Sequence, residues 1–331
     1  MPDLRVTLGS LTLNNPLLVA AGTFGYGLEF VRAVRLDRLG GLITKTLTRK
    51  PRSGNPPPRL VETPSGMLNA VGLQNIGLDA FLREKLPALR RVGAPVIVSL
   101  LGESSEELAE MVAAVDRADG ASAIELNLSC PNIHGSRLKA QGSREVDLQP
   151  SASSLQPVMV AQDAEATFTM VRAARARTRK PLIAKLSPDV TDLAPIAQAA
   201  ERAGATALSL VNTFIGMSLD PSTRRSRLGA ITGGLSGPAI RPLAVYRVWY
   251  TAQTVRIPII GLGGIVRADD AIEFFLAGAS AVAVGTANFA DPRAALHVLR
   301  GLERYLARHR MSSLGELRGA VDRSETCAAP Q

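Results

Sequence analysis

The stretch Ala123–Asn132, Ala-Ile-Glu-Leu-Asn-Leu-Ser-Cys-Pro-Asn, concentrates the residues of this chain that could carry chemistry. Its first half alternates apolar and polar residues, which is typical of a strand whose two faces have different surroundings. Its second half presents the amides of Asn127 and Asn132 around the thiol of Cys130. A thiol can transfer a proton and amides can orient a polar ligand. A free cysteine is also often a small buried apolar residue, so this stretch alone leaves both interpretations open.

Cysteine and histidine usage argues against disulfide and metal chemistry. The chain has two cysteines, Cys130 and Cys327, and no Cys-x-x-Cys pair. We therefore expect neither a disulfide scaffold nor an iron–sulfur or structural zinc site. The three histidines, His134, His297 and His309, lack the spacing of metal ligands. The sequence predicts no metal site in this chain.

Charge and hydropathy restrict the partners of the protein. The segment Met1–Arg5 lacks the basic and apolar regions of a signal peptide, and no run approaches the ~20 apolar residues that span a bilayer. We expect a soluble, cytoplasmic protein without a membrane partner. The net charge of +9 could indicate nucleic acid, but only 4% of the residues are aromatic and could stack on bases. The densest basic run, Arg172–Lys180, falls on a predicted helix as a solvated face, so we expect no nucleic-acid partner.

A repeated unit of strand and helix organises the chain. With 331 residues, of which 46% are hydrophobic, either two domains or one large α/β barrel is expected. After an N-terminal hairpin formed by residues 5–8 and 11–13, the predicted strands are Pro16–Gly22, Gly41–Thr46, Pro95–Leu101, Ala123–Cys130, Pro181–Ser187, Ala207–Thr213, Ile257–Ile265 and Ala281–Ala287. The clearest helical patterns are Gly77–Val92, Ser104–Asp119, Ala164–Thr178, Thr191–Ala203, Pro238–Thr254, Ala268–Ala277 and Asp291–His309.

Eight mostly apolar strands that alternate with amphipathic helices indicate a parallel sheet. We predict that it closes into a (β/α)8 TIM barrel, and an open doubly wound sheet is the alternative. Because the composition shows no break, the prediction is one domain over residues 1–331. Chemistry in such a barrel sits at the carboxyl ends of the strands.

Two lysines fall at predicted strand ends without a carboxylate beside them. Lys45 and Lys185 lie near the ends of the second and fifth strands, and Asn127 and Asn212 lie near the ends of the fourth and sixth. The long loop 47–76 adds an amide-rich turn, which contains Asn69, Asn75 and several glycines and could aim backbone N–H groups at a carboxylate. An ordinary loop has the same composition. The cations and amides together predict an anionic ligand with amide or carbonyl groups.

Glycine-rich turns follow the last two predicted strands, as Gly263-Gly264 and Gly285-Thr286. The loops after strands 7 and 8 of a barrel often bind a phosphate through backbone N–H groups. The run 233–238, Gly-Gly-Leu-Ser-Gly-Pro, precedes a predicted helix and could add further donors. We therefore predict a phosphate-bearing cofactor on this side of the barrel mouth.

Several long motifs, in order, resemble those of dihydroorotate dehydrogenases. They run from about Leu11 to about Pro292, and the similarity is greatest to the class 1 enzymes, in particular the catalytic subunit of the NAD-linked type. The motifs are Asn69-Ala-Val-Gly-Leu-Gln-Asn75, Asn127-Leu-Ser-Cys-Pro-Asn132, Lys185-Leu-Ser-Pro188, Val211-Asn-Thr213, residues 233–238, Gly263-Gly264 and residues 281–286.

This resemblance implies a barrel that binds FMN and oxidises (S)-dihydroorotate to orotate in pyrimidine (UMP) biosynthesis. Cys130 would be the base that removes the C5 proton, while hydride leaves C6 for N5 of the flavin. The residues implied for substrate binding are Lys45, Asn69, Val71, Gly72, Leu73, Asn127, Asn132, Asn212 and Thr213. Those implied for FMN binding are Ala21, Lys45, Thr46, Ser99, Asn127, Lys185, Val211, Gly237, Gly263, Gly264, Gly285 and Thr286.

The resemblance also implies a partner. The NAD-linked type uses a second subunit with FAD and an iron–sulfur cluster, around a homodimeric core that can extend to a heterotetramer. Fumarate or a quinone remains an alternative electron acceptor. Ala21 and Ser99 depart from the serine and asparagine that the family often has there. Residues 135–160 form a longer segment than is usual, which we interpret as a lid or insert, and residues 312–331 form a C-terminal tail.

Three alternatives stay open at this point. A dihydropyrimidine dehydrogenase-like module would act on neutral uracil, although two lysines favour a carboxylated ring. A tRNA dihydrouridine synthase would account for the basic charge, but that family carries an additional RNA-binding domain. A non-catalytic barrel that acts as a binding partner belongs to another class and leaves the lysines, amides and glycine turns unexplained.

Overall fold

The chain begins with a hairpin that leads into a closed barrel. The computed structural model describes residues 2–128 and 159–322, and strands and helices are numbered here along the chain. Strands β1 (Val6–Leu8) and β2 (Leu11–Leu13) pair in an antiparallel manner, as predicted. Eight parallel strands then form the barrel. They are β3 (Leu17–Val19), β4 (Gly41–Ile43), β7 (Val96–Leu100), β8 (Ala123–Asn127), β9 (Leu182–Lys185), β10 (Ala207–Leu210), β15 (Ile259–Gly261) and β16 (Ala281–Val284).

The ring of these strands is continuous. Neighbours along the chain pair with each other in parallel, and β16 pairs with β3 to close the ring. Each barrel strand lies within one of the eight predicted strands. The predicted (β/α)8 barrel is therefore confirmed, and the alternative of an open sheet is excluded.

Helices cover the outside of the barrel. They are α1 (Leu78–Ala80), α2 (Leu86–Leu89), α3 (Ser105–Arg117), α4 (Ala164–Arg175), α5 (Ala194–Arg202), α6 (Arg241–Ala252), α7 (Ala268–Leu276), α8 (Ala287–Ala290) and α9 (Ala294–Arg308). A π-helical turn, Phe81–Lys85, joins α1 to α2. Side chains cap α3 and α4, since Ser104 accepts a hydrogen bond from the Glu107 amide and Asp163 accepts one from the Ala166 amide. None of the helices in the described ranges is both long and apolar enough to span a bilayer.

Apolar side chains fill two layers. The larger layer packs the helices against the outer face of the barrel, and the smaller one fills the barrel interior. Leu8 and Leu13 of the hairpin belong to the interior layer and are fully buried, so the hairpin closes the barrel at the amino ends of the strands. The start of the predicted C-terminal tail also packs into the core, because Leu314 and Leu317 are buried. The predicted lid, residues 135–160, lies almost wholly outside the described residues.

A second sheet stands over the open end of the barrel, and we call it the rim sheet. Its strands, in spatial order, are β11 (Phe214–Gly216), β14 (Gly233–Ser236), β6 (Gly66–Asn69) and β5 (Leu60–Thr63), all antiparallel. The sequence predicted a loop for residues 47–76, and this prediction was wrong for β5 and β6. The run 233–238 was interpreted only as a source of backbone donors before a helix, and its residues 233–236 form β14. Short segments from distant parts of the chain complete one another here. Strands β12 (Leu219–Asp220) and β13 (Arg225–Ser226) form a small hairpin beside this sheet.

Candidate active site

One cleft opens at the carboxyl ends of the barrel strands, beneath the rim sheet. The space between its lining residues is about 1050 Å³, which includes the part that is open to solvent. Nearly all described residues that the sequence predicted for the site line this cleft. They are Ala21, Lys45, Thr46, Asn69, Val71, Gly72, Leu73, Asn127, Lys185, Val211, Asn212, Thr213, Gly237, Gly263, Gly264, Gly285 and Thr286.

Two cations reach into the cleft from opposite parts of the barrel. Lys185 ends β9 and is only 5% exposed, whereas Lys45 follows β4 and is partly exposed. The Lys45 ammonium lies close to Gly22, where an added Cβ would be 3.6 Å from Nζ. No aspartate or glutamate is present among the cleft-lining residues that the structure describes. The cleft is therefore suited to an anionic ligand.

A chain of hydrogen bonds crosses the floor of the cleft and descends into the barrel, and we call it the floor chain. Asn212 donates to Asn127 Oδ1 (3.4 Å), and Asn127 donates to Thr46 Oγ1 (3.1 Å). The hydroxyls of Thr46 and Ser99 are 3.0 Å apart, and Ser99 donates to Glu125 Oε1 at 3.0 Å. Ser99 is fully buried and is not a lining residue, so it lies one layer below Thr46 rather than on the cleft surface.

Asn75 holds the turn that carries Leu73 into the cleft. Its Nδ2 donates to the Leu73 carbonyl (2.7 Å) and to Thr48 Oγ1 (2.8 Å). Its Oδ1 accepts from the backbone N–H groups of Gly77 (2.8 Å) and Thr48 (3.3 Å). These four hydrogen bonds use the whole capacity of the amide. Leu73 adopts a φ of 57°, which is rare for a large side chain and needs support from its surroundings.

Glycines line the side of the cleft formed by β15, β16 and the start of α6. Gly237, Gly263 and Gly264 have φ values of 94°, 135° and 77°. A Cβ at Gly264 would lie 2.8 Å from the Gly237 carbonyl oxygen, so the backbone itself forms this wall. Thr286 Oγ1 donates to Ser236 Oγ at 2.8 Å beside it. A surface of glycine backbone with small hydroxyls fits a phosphate group, which backbone N–H groups bind well.

Two predicted site residues, Cys130 and Asn132, lie outside the described residues. The described chain leaves the barrel at Leu128, directly after Asn127. It resumes at Met159, and the Ala161 amide donates to the Leu128 carbonyl at 3.0 Å. The chain therefore departs from and returns to the same point at the end of β8, next to the cleft floor.

Several features of the site were not predicted. Glu125 is a charged residue in an otherwise buried strand, and that contrast was the only signal for it in the sequence. Asn75 was predicted only as part of a donor-rich turn, and its side chain instead stabilises the turn internally. The sequence analysis also missed Leu60 and Met67 of the rim sheet, and Ile240 and Phe289 of helical segments, as lining residues of the cleft.

Comparison with known proteins gives a consistent result along the whole chain. Residues 3–306 match the family model described as dihydroorotate dehydrogenase. The chain is 49% identical over 320 residues to a dihydroorotate dehydrogenase B (NAD(+)), catalytic subunit, from Geotalea daltonii, covering 97% of this chain and 98% of that protein. Proteins of the same name from Geobacter sulfurreducens and Thermodesulfovibrio yellowstonii are 47% and 45% identical over 322 and 320 residues. The chain therefore belongs to the dihydroorotate dehydrogenase family.

Proposed function

We propose that this protein oxidises (S)-dihydroorotate to orotate in de novo pyrimidine biosynthesis, with FMN as its cofactor. The observation that carries the proposal is the set of residues that line the cleft at the barrel mouth. Two lysines, several amides and a wall of glycine backbone line it together, and no carboxylate is found among its described residues. This combination suits an anionic, amide-bearing substrate beside a phosphate-bearing cofactor.

The substrate would bind between the lysine and amide side chains and the turn that contains Leu73. Lys45 would pair with the substrate carboxylate, because an ammonium group is the natural partner of an anion in a partly desolvated cleft. Amide side chains and backbone N–H groups would hold the ring carbonyls. The residues proposed for this role are Asn69, Val71, Gly72, Leu73, Asn127, Asn132, Asn212 and Thr213.

FMN would lie along the other wall, and when bound it accepts the hydride that leaves C6 of dihydroorotate. Gly237, Gly263, Gly264, Gly285 and Thr286 would hold its phosphate through backbone N–H groups. Lys185 would supply a buried positive charge beside the ring system. Ala21, Lys45, Thr46, Asn127 and Val211 would contact the rings, and Ser99 would support them indirectly through Thr46.

Cys130 would act as the general base that removes the proton from C5. Breaking a C–H bond next to a carbonyl needs a base, and the thiolate is the reactive form of cysteine. An unperturbed thiol has a pKa of about 8.5. The rate of substrate oxidation should therefore rise as the pH increases through the range in which the thiol ionises.

The electrons would leave through a second subunit. The relatives named above are catalytic subunits of NAD(+)-linked enzymes, so we propose that a partner with FAD and an iron–sulfur cluster carries the electrons to NAD+. The catalytic chain would form a homodimeric core, and the whole assembly would be a heterotetramer. Co-purification of such a partner, with NADH formed from dihydroorotate, would support this part. Efficient reduction of fumarate by the isolated chain would contradict it.

The central test is anaerobic reduction of the purified holoprotein by dihydroorotate. We expect a flavin spectrum that bleaches rapidly in the wild type, and a Cys130→Ser variant that bleaches at least 100-fold more slowly, because a serine hydroxyl is a much weaker base. The matched control is Cys327→Ser, the other cysteine of the chain, which should react like the wild type. A yellow protein that dihydroorotate leaves oxidised, but dihydrouracil reduces, would contradict the proposed substrate.

A further inference from the structure

Glu125 is an acidic residue in the middle of barrel strand β8, and it is fully buried. Ala123 belongs to the interior apolar layer, and side chains alternate along a strand, so Glu125 also faces the barrel interior. Its Oε1 accepts the hydrogen bond from Ser99, whereas Oε2 has no hydrogen-bond partner within the described residues. Burial of a carboxyl group with a single partner costs free energy. Such a residue therefore needs an explanation beyond packing.

The hydrogen bonds of the floor chain have a donor-to-acceptor direction, which follows from the end of the chain next to Thr213. The backbone N–H of Thr213, which can only donate, bonds to Asn212 Oδ1 at 2.9 Å. Asn212 must then turn its Nδ2 towards Asn127, where it donates to Oδ1. Asn127 in turn must direct its own Nδ2 to Thr46. This backbone donor thus favours one orientation of both amides from the upper end of the floor chain.

The hydrogen bonds at the other end of the floor chain, next to Glu125, have the same donor-to-acceptor direction. Thr46 accepts from Asn127, so its own hydroxyl hydrogen is available for Ser99. The Ser99 hydrogen then goes to Glu125 Oε1, which accepts it. All the hydrogen bonds from Thr213 to Glu125 therefore point the same way. Glu125 is the terminal acceptor that makes this arrangement complete.

We propose that Glu125 is a positioning residue of the active site, which orients the amides of Asn127 and Asn212 for the substrate. The inference rests on the proposed function. In the observed direction, Asn127 uses its carbonyl for Asn212 and keeps one N–H hydrogen that is not used by Thr46. The substrate has carbonyl and carboxylate oxygens, which need donors. If the hydrogen bonds of the floor chain ran in the opposite direction, the Asn127 carbonyl would face Thr46 and the Asn127 N–H groups would face Asn212.

The test compares orotate binding by the FMN-loaded wild type and by Glu125→Gln. Glutamine has the same size, but its amide can either accept from Ser99 or donate to it, so it no longer imposes one direction. We expect the Kd for orotate, measured from the change in the flavin spectrum, to rise about tenfold. FMN content should stay at one per chain. The melting temperature should be equal or higher, because the variant no longer buries a carboxylate with an unpaired oxygen.

Ser209→Ala is the matched control. Ser209 lies on β10, is fully buried and has no hydrogen-bond partner for its hydroxyl among the described residues, but it is not part of the floor chain. It should bind orotate like the wild type. A wild-type Kd for Glu125→Gln would overturn the inference, as would an equal loss of affinity in both variants.

A second variant tests the inference in case the Glu125→Gln protein does not fold. Glu125→Met combined with Ser99→Ala removes both partners of the lowest hydrogen bond, and the Thr46 hydroxyl, which lines the cleft, loses Ser99 as its acceptor. A tenfold weaker affinity for orotate in this double variant supports the inference, and an unchanged affinity overturns it. If the wild type itself retains FMN but does not bind orotate, the proposed function fails, and the inference fails with it.

Discussion

At the scale of single residues, the site depends on side chains that never need to touch a ligand. Asn75 is 6% exposed and makes four hydrogen bonds, one of them to the carbonyl of Leu73. Leu73 lines the cleft with a left-handed backbone. A large residue in that conformation costs about 1–3 kcal/mol, so the turn keeps its shape because Asn75 holds it.

Asn75→Ala should therefore reduce both stability and ligand affinity. We expect the free energy of unfolding to fall by about 2–3 kcal/mol, because backbone groups in a buried turn lose their partners. The Kd for orotate should rise at least tenfold as Leu73 relaxes from its position. Urea unfolding and a spectral titration of the flavin measure the two effects. The exposed Asn14 provides the control, since Asn14→Ala should change neither quantity.

Residue types at strand ends were predictable, but the roles of buried polar residues were not. Lys45 and Lys185 stand out because they follow apolar strands directly. The role of Glu125 depends on Ser99, a residue of the neighbouring strand, and no local pattern shows that hydrogen bond. Asn75 looks like any loop asparagine until its four partners are known. Sequence reasoning therefore found most of the residues that line the cleft and missed the buried residues that support them.

At the scale of elements, the barrel was predictable and the rim sheet was not. All eight barrel strands fall within predicted strands, because each is a buried apolar run with a helix after it. Each rim strand has two to four residues that are not buried, and glycines are frequent in these strands. The same composition is typical of loops. Their pairing joins Asn69 to Gly234, so it depends on the barrel bringing distant segments together.

The glycine wall makes a sharp prediction for FMN binding. Gly264→Ala places a Cβ 2.8 Å from the Gly237 carbonyl oxygen at a φ of 77°, so the loop after β15 must move. We expect the purified variant to contain less than about a tenth of the FMN of the wild type. Gly315→Ala is the control, because a Cβ there meets nothing closer than the Ser313 hydroxyl at 3.4 Å. Equal flavin content in both variants would show that the phosphate binds elsewhere.

Asp189 connects the loop after β9 to the rim sheet and gives the fold a pH dependence. Both of its carboxylate oxygens accept from the Ile215 amide, at 3.2 and 3.3 Å. Burial raises the pKa of Asp189 above its usual value of 3.8, against the lowering effects of the hydrogen bond and of Arg247. The folded state then binds the proton more tightly than the unfolded state. This contribution to stability is full below pH 3.8 and is lost as the pH rises through the raised pKa.

Asp189→Asn should remove the loss of stability that accompanies rising pH, and its side-chain oxygen can still accept from the Ile215 amide. We expect the decrease in stability with rising pH, which begins near pH 4, to be smaller in the variant than in the wild type. Thermal melting curves between pH 4 and pH 8 measure the difference. The partly exposed Asp220, whose pKa is lowered rather than raised, supplies the control. If Asp189→Asn and the wild type show the same pH profile, the burial of Asp189 does not contribute to it.

At the scale of the whole molecule, one end of the barrel contributes to stability and the other end forms the site. The hairpin of β1 and β2 closes one end with Leu8 and Leu13, and the cleft with its rim sheet occupies the other. The interior apolar layer lies between them. Changes at the closed end should therefore affect stability without altering the site.

Leu8→Ala tests this separation. Removal of a fully buried leucine side chain should lower the free energy of unfolding by about 3 kcal/mol. The FMN content and the Kd for orotate should stay at wild-type values, because the cleft lies at the opposite end of the strands. Leu219→Ala, at a position that is 53% exposed, should change stability by less than about 0.5 kcal/mol. A loss of orotate affinity in Leu8→Ala would show that the two ends are coupled.

The rim sheet also implies an order of events during synthesis of the protein. It needs segments that end at Thr63, Asn69, Gly216 and Ser236 of one chain, so the whole sheet cannot be complete until the ribosome has made some 236 residues. The barrel closes later still, because its last strand, β16, ends at Val284. Contacts between such distant segments form late. The cleft lies between the barrel ends and the rim sheet, so a growing chain completes it only when the last lining residues, up to Phe289, have been made.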